Sequence, residues 1–216
     1  SYTTEPSGYT NKDKVQIKVV AENPKGIKTI ECPNGDIINV ENATKKELTY
    51  DVTKNGKYTF KAVDTKDKTV PKEINIKNID KVEPEYVTVE SDPGVTTIKL
   101  KISAEDGAET EESSKSGIGK YEIYLNGTKN GETTENEYRI QGLVKSTNYS
   151  IYVIAYDNAG NPKQSTPITV TTTAGAYPTI TGSTIQFPEE ELAADAVGKA
   201  VYDQDNDTFW YYNQGM

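Results

Sequence analysis

Histidine is absent from the 216 residues, and cysteine, methionine and tryptophan occur once each. Without histidine there is no Ser-His-Asp or Cys-His catalysis and no His-ligated zinc. One cysteine likewise excludes a Cys₄ zinc site and an intramolecular disulfide. Leucine is scarce, five residues against 34 valines and isoleucines, so a mainly helical protein is not expected. No stretch approaches the ~18 apolar residues of a membrane span, which argues against membrane insertion. No basic stripe suits nucleic acid. Residues 1–81 carry a balance of +3, and residues 82–175 and 176–216 carry −6 each, for a net charge of −9. That charge is small for the length, so disorder is not expected where apolar residues alternate in strand-length runs.

What the chain does contain is β-branched and aromatic: 27 threonines and 15 tyrosines stand beside the valines and isoleucines. These residues also repeat. Val15, Ile17, Val19 and Ala21 alternate as one strand face, and Ile98, Leu100, Ile102 and Ala104 repeat the pattern. Gly26-Ile27 leads through Ile30 to the turn Asn34-Gly35, as Gly117-Ile118 leads through Tyr121 to Asn126-Gly127. Tyr58, Phe60 and Ala62 run to Asp64, as Tyr149, Ile151, Val153 and Ala155 run to Asp157. Two homologous β-domains follow, 1–81 and 82–175, with 176–216 as the incomplete start of a third segment. In the first, strands are expected near 15–20, 27–32, 36–40, 47–52, 58–63 and 69–76, with Asn34-Gly35 and Asn55-Gly56 as positive-φ turns.

The second copy carries an insertion, the loop Glu105 to Ser116, with Glu105, Asp106, Glu109, Glu111 and Glu112. Its carboxylates offer hard oxygen ligands for Ca²⁺, but EF-hand spacing is missing, and a solvated loop stays open beside a cation or partner contact. Lys77 to Pro84, with Asn78, Asp80 and Glu83, reads as a polar linker, with a bridging Ca²⁺ as the alternative. Cys32 shares a face with Ile30 and reads as a small buried hydrophobe.

Residues 84–174 resemble a fibronectin type III module. The resemblance rests on Ile98, Leu100 and Ile102, on Tyr121, Ile123 and Leu125, and on Leu143-Val144-Lys145-Ser146-Thr147-Asn148-Tyr149, similar to that family's tyrosine corner. It implies that the Tyr149 hydroxyl bonds upstream backbone. Asp157-Asn158-Ala159-Gly160-Asn161 resembles the F to G loop of bacterial members. Residues 6–79 are similar to bacterial Ig-like repeats of Gram-positive surface proteins and phage tail proteins. The expected fold is therefore all-β, two tandem Ig-like/fibronectin type III β-sandwiches plus the C-terminal segment. There, Asp203-Gln204-Asp205-Asn206-Asp207-Thr208-Phe209-Trp210 resembles a signature near the start of discoidin (factor 5/8 type C) domains, many of which bind glycans. Asp203, Asp205 and Asp207 join Glu105, Asp106 and Glu109 as candidate metal ligands, with Ca²⁺ as the candidate cofactor.

Strand phasing adds a second candidate site. With Tyr149, Ile151, Val153 and Ala155 facing the core, Tyr152, Ile154 and Tyr156 face outward, and so does Tyr124 on the adjacent strand. These four are the candidate ligand-binding residues. A neighbouring domain packed on the patch, or sheet-surface tyrosines that simply stabilise cross-strand pairs, are the alternatives. The expected role is a non-catalytic, extracellular or cell-surface region that spaces and presents a recognition domain. Its expected partner is a surface glycan or protein receptor, with further chain expected beyond residue 216. The alternatives are accessory modules of a secreted carbohydrate-active enzyme and a structural or receptor-binding part of a phage tail, which would place the chain in a virion. Neither nucleic acid binding nor catalysis is expected.

Overall fold

The computed structural model describes residues 1–110 and 113–175, and beyond these only the backbone of four short strands, Thr179–Thr181, Thr184–Gln186, Ala200–Asp203 and Thr208–Tyr211. The regular elements among the described residues are strands, paired antiparallel, as the β-branched composition predicts. The chain divides into two compact units. The first is Ser1–Glu85 joined by Glu105–Gly119 and Tyr156–Pro162, and the second is Tyr86–Ala104, Lys120–Ala155 and Lys163–Met216.

The first unit contains β1 (Tyr2–Glu5), β2 (Val15–Glu22), β3 (Ile27–Glu31), β4 (Ile37–Asn39), β5 (Lys45–Val52), β6 (Gly56–Asp64) and β7 (Thr69–Ile76). They form two sheets, β1-β2-β5 and β4-β3-β6-β7. Alternation decides which side is buried: Val15, Ile17 and Val19 of β2 point into a core with Cys32, Val52, Phe60, Ile74, Ile76 and Ile79. Tyr50 meets Phe60 edge to face at 5.5 Å, a favoured arrangement for aromatic quadrupoles. Gly35, at φ 89°, supplies the left-handed turn between β3 and β4. Short β4 and β7, which contains Pro71, form the two edges of their sheet.

Two features of this unit differ from the sequence reading. A seventh strand, β1, pairs with β2 from Tyr2↔Val19 to Glu5↔Gln16. Its Tyr-Thr-Thr-Glu sequence has no apolar alternation, because an edge strand gains its place through backbone hydrogen bonds. The stretch expected as a polar linker is anchored: Ile79 is fully buried, and its N–H and C=O are both bonded by the Asn55 side chain, at 3.0 and 2.7 Å. Thr10 bridges to Ile79 as well. Ile79 and Asp80 are buried while Lys77, Lys81 and Glu83 stay exposed, and the amide of Asn55 satisfies the Ile79 peptide so enclosed.

The remaining strands are β8 (Tyr86–Pro93), β9 (Ile98–Glu105), β10 (Ile118–Leu125), β11 (Thr128–Thr133), β12 (Glu137–Ile140), β13 (Asn148–Asp157), β14 (Pro162–Gln164) and β15 (Ile168–Thr171). Their sheet orders are β12-β9-β8 and β11-β10-β13-β14, with β15 also on β13. Ile98, Leu100, Ile102, Tyr121, Ile123, Ile151, Val153 and Ala155 are buried in the alternation read from sequence. Asn126 and Gly127 both have positive φ, 49° and 81°, as a two-residue hairpin turn between β10 and β11 demands. The Tyr149 hydroxyl accepts the Val144 N–H at 2.8 Å, so the corner forms as the resemblance implied.

Candidate functional site

The first unit encloses three carboxylates. Asp80, Asp106 and Asp157 are 1%, 3% and 4% exposed. One oxygen from each lies within 4.8 Å of the others. Asp80 comes from the anchored segment after β7, Asp106 from the inserted loop after β9, and Asp157 from the end of β13.

Each side chain is held by local backbone. Asp157 Oδ1 accepts the N–H groups of Ala159, Gly160 and Asn161 at 2.9, 2.7 and 2.8 Å, and its Oδ2 accepts Asn161 Nδ2 at 2.7 Å. Asp106 accepts the N–H of Gly107 at 2.9 Å and that of Gly117. Asp80 accepts Val82 N–H at 3.2 Å and Ser113 Oγ at 2.9 Å on Oδ1, and Ser116 N–H at 3.0 Å on Oδ2. Asn161 also donates to the Asp80 carbonyl at 3.0 Å, across 81 positions of sequence. Gly107 makes this approach feasible, since a Cβ there would lie 2.5 Å from the Glu83 carbonyl oxygen.

The electrostatics are unfavourable without a counter-charge. Unit charges 4.8 Å apart repel by about 3 kcal/mol at an effective dielectric near ~20, for each of the three pairs. Burial pushes the Asp157 carboxyl above its ordinary range and the Asp80 charge pushes the same way, while hydrogen bonds from Asn161 and Gly160 oppose them. Among the described residues no lysine or arginine forms an ion pair with any of the three.

The candidate metal residues separate. Asp106 joins the cluster; Glu105 is exposed and pairs with Lys115 at 3.0 Å, and Glu109 is exposed. Glu111, Glu112, Asp205 and Asp207, together with the side chain of Asp203, lie outside the described residues. Asp80 entered only through the alternative of a bridging Ca²⁺ in the 77–84 segment, whose Asn78 and Glu83 are not in the cluster, and Asp157 was not a candidate ligand. The sequence cues available were an isolated Ile79 beside Asp80 and the amide-rich loop that follows Asp157.

The tyrosine face takes shape on the second unit. Tyr124 and Tyr152, on adjacent β10 and β13, stack at 4.7 Å with ring planes 7° apart. These two rings and Ile154 are half-buried, and half-buried Tyr156 is counted with the first unit. Beside them Glu122, its side chain 12% exposed, sits between Lys120 and Lys129, each at 2.9 Å. Hydrogen bonds from these two ammonium groups pull its carboxyl from 4.5 down to about 2. The opposite sheet of the unit bears an open hollow of about 550 Å³, lined by Glu90, Asp92, Lys99, Lys101, Tyr138 and Arg139. Its lining mixes charges of both signs.

Comparison with known proteins agrees with the β architecture. The family model described as Fibronectin type III domain matches residues 42–171, a span that begins within the first unit. No curated protein matches. Among solved structures, domains A168-A170 from titin are similar at 20% identity and a TM-score of 0.50, over 79% of this chain. The chain spans 64% of that structure's length. The fibronectin(III)-like modules of Clostridium thermocellum CbhA match at 20% identity and a TM-score of 0.39, over 81% of this chain and 95% of theirs. The FN1-FN3 domains of chicken CNTN1 match at 16% identity and a TM-score of 0.38, over 80% of this chain and 66% of theirs.

Proposed function

This chain belongs to the fibronectin type III family, and on that footing we propose that it is a non-catalytic, extracellular modular region that spaces and presents a recognition surface for a surface ligand of the glycan class. The observation that carries this reading is that each of the two units closes an apolar core of its own. Val15, Ile17, Phe60 and Ile74 fill the first, and Ile98, Leu100, Ile123 and Ile151 fill the second. Side chains committed to packing in this way make durable spacers, and recognition falls to what the sheet surfaces display.

The stacked Tyr124 and Tyr152 are the best such display. The ring faces that the stack leaves uncovered are electron-rich and suit the polarised C–H face of a sugar, and the paired Glu122, Lys120 and Lys129 beside them offer charged partners for hydroxyls. A glycan array probed with the labelled chain tests the reading, with release of reducing ends followed in parallel. Binding to a subset of glycans, abolished in the Tyr124→Ser, Tyr152→Ser double variant at unchanged β-sheet circular dichroism, is the expected result. Turnover of any bound glycan, or the absence of glycan binding, overturns it.

A further inference from the structure

We infer that Asp80, Asp106 and Asp157 form a divalent cation site of the calcium type in the first unit. This goes beyond the acidic loop that the sequence draws attention to, because two of the three ligands come from elsewhere in the chain and the loop's exposed Glu105 and Glu109 are not among them. It is also independent of the glycan reading.

Carboxylate oxygens from three separate segments lie within 4.8 Å of one another, all three residues are buried, and among the described residues no cationic side chain forms an ion pair with them; Lys115, whose charge reaches Asp106, is bonded to Glu105. Buried charge of one sign is stable when a counter-charge reaches it. Ser116 adds a separate observation. It donates its own N–H to Asp80 and is followed by Gly117, whose N–H goes to Asp106, so the residue sits between two of the acids. Its hydroxyl, in a residue only 9% exposed, is buried with no hydrogen-bond partner in the protein. Buried hydroxyls are nearly always partnered, so this one is available to a bound ion or to a water that such an ion carries.

The oxygens are also free in the right places. Asp157 Oδ1 is saturated by three N–H groups, but its Oδ2 takes one donor, as do both oxygens of Asp106 and Oδ2 of Asp80. Three carboxylates, a hydroxyl and water make the all-oxygen shell of six to eight ligands that Ca²⁺ takes, whereas Mg²⁺ demands a tighter octahedron and sheds water reluctantly. With one unit charge per acid, the set also offers more negative charge than a single divalent ion neutralises, which favours occupancy.

The test uses the full chain, stripped with a chelator and titrated with CaCl₂ by calorimetry, with thermal melts alongside. A dissociation constant no weaker than about 10⁻³ M, the range of extracellular calcium modules, is expected, together with a rise in melting temperature on adding Ca²⁺. Asp106→Asn should weaken binding by about 100-fold or more and Ser116→Ala by a smaller factor of about 2 to 10. Glu105→Gln, outside the cluster, should bind within about twofold of the parent chain. Asp106→Asn remains informative if it lowers stability, because Ser116→Ala leaves all three carboxylates in place. No heat and no melting shift at 10 mM Ca²⁺ on the order of ten times that limit, equal binding of Mg²⁺, or unchanged affinity in both cluster variants overturns the inference.

Discussion

Tyr149→Phe isolates one atom of the fold. The hydroxyl accepts the Val144 N–H at 2.8 Å, and the ring that carries it is buried in the second unit. Phenylalanine keeps the ring and its packing, so the change removes the hydrogen bond alone. A net hydrogen bond contributes about 0.5–1.5 kcal/mol, and a donor left unpaired costs about 1–3 kcal/mol. Val144 is itself exposed, so water replaces part of what is lost and the expected cost is about 1–2 kcal/mol. For a domain of this size each kcal/mol moves the melting temperature by roughly 4–8 °C, so a drop of about 5 °C or more should be visible by calorimetry. Residue-resolved hydrogen exchange should show the Val144 amide losing protection, while the amides of β10 keep theirs. Tyr121→Phe is the control. That side chain is also buried, its phenol is pushed up by burial, and its hydroxyl makes no hydrogen bond among the described residues. It should leave the melting temperature unchanged or raise it. Equal shifts in the two variants would refute the claim that the corner's hydroxyl holds the crossover.

Gly26→Ala should cost about 1–3 kcal/mol from its positive φ alone, and more because the new Cβ would stand 2.7 Å from the Asn42 carbonyl oxygen, read as a lower urea midpoint. Glu122 titrates lower folded than unfolded, so its stabilisation is complete above pH 4.5 and is lost as pH falls toward about 2. Melts of Glu122→Gln across that window should show a flatter acid limb than the parent, and identical limbs would contradict the lysine pairing. Burial pushes the Cys32 thiol up and Asp36 adds to this, so alkylation at pH 8 should be slow in the folded chain and fast in urea. Rapid labelling without denaturant would show that the first core is open at Cys32.

The strands were legible because their chemistry alternates with the pleat. Val15, Ile17 and Val19, then Tyr149, Ile151 and Val153, alternate in type and are buried where alternation puts them. Turn residues were legible for a similar reason, since Asn126 and Gly127 accept the positive φ that few other residues tolerate. The cluster of Asp80, Asp106 and Asp157 was not, because burial of a carboxylate depends on what the distant chain brings to it. Asp64 and Asp157 occupy the same place in the two repeats and both accept loop N–H groups, but only Asp157 is buried with other acids around it. The inserted loop makes that difference. Its length and acidity were readable, yet Ser113 and Ser116, which turn part of it inward, look in sequence like ordinary loop serines. The tyrosine face was legible in phase, and its extent was not, because stacking of Tyr124 on Tyr152 half-buries both rings.

The sheet margins bear on how many copies of such a chain tolerate being crowded together. A free strand margin is a template for the next molecule to add a strand. Here β4 has three residues, β7 interrupts its outer row of donors with Pro71, β8 closes on Asp92 and Pro93, and β14 opens on Pro162. On β5, Lys45, Lys46 and Glu47 place charge along the margin. Copies packed densely side by side would thus meet through short, proline-broken or charged rims, which oppose the strand-by-strand growth that leads to fibres.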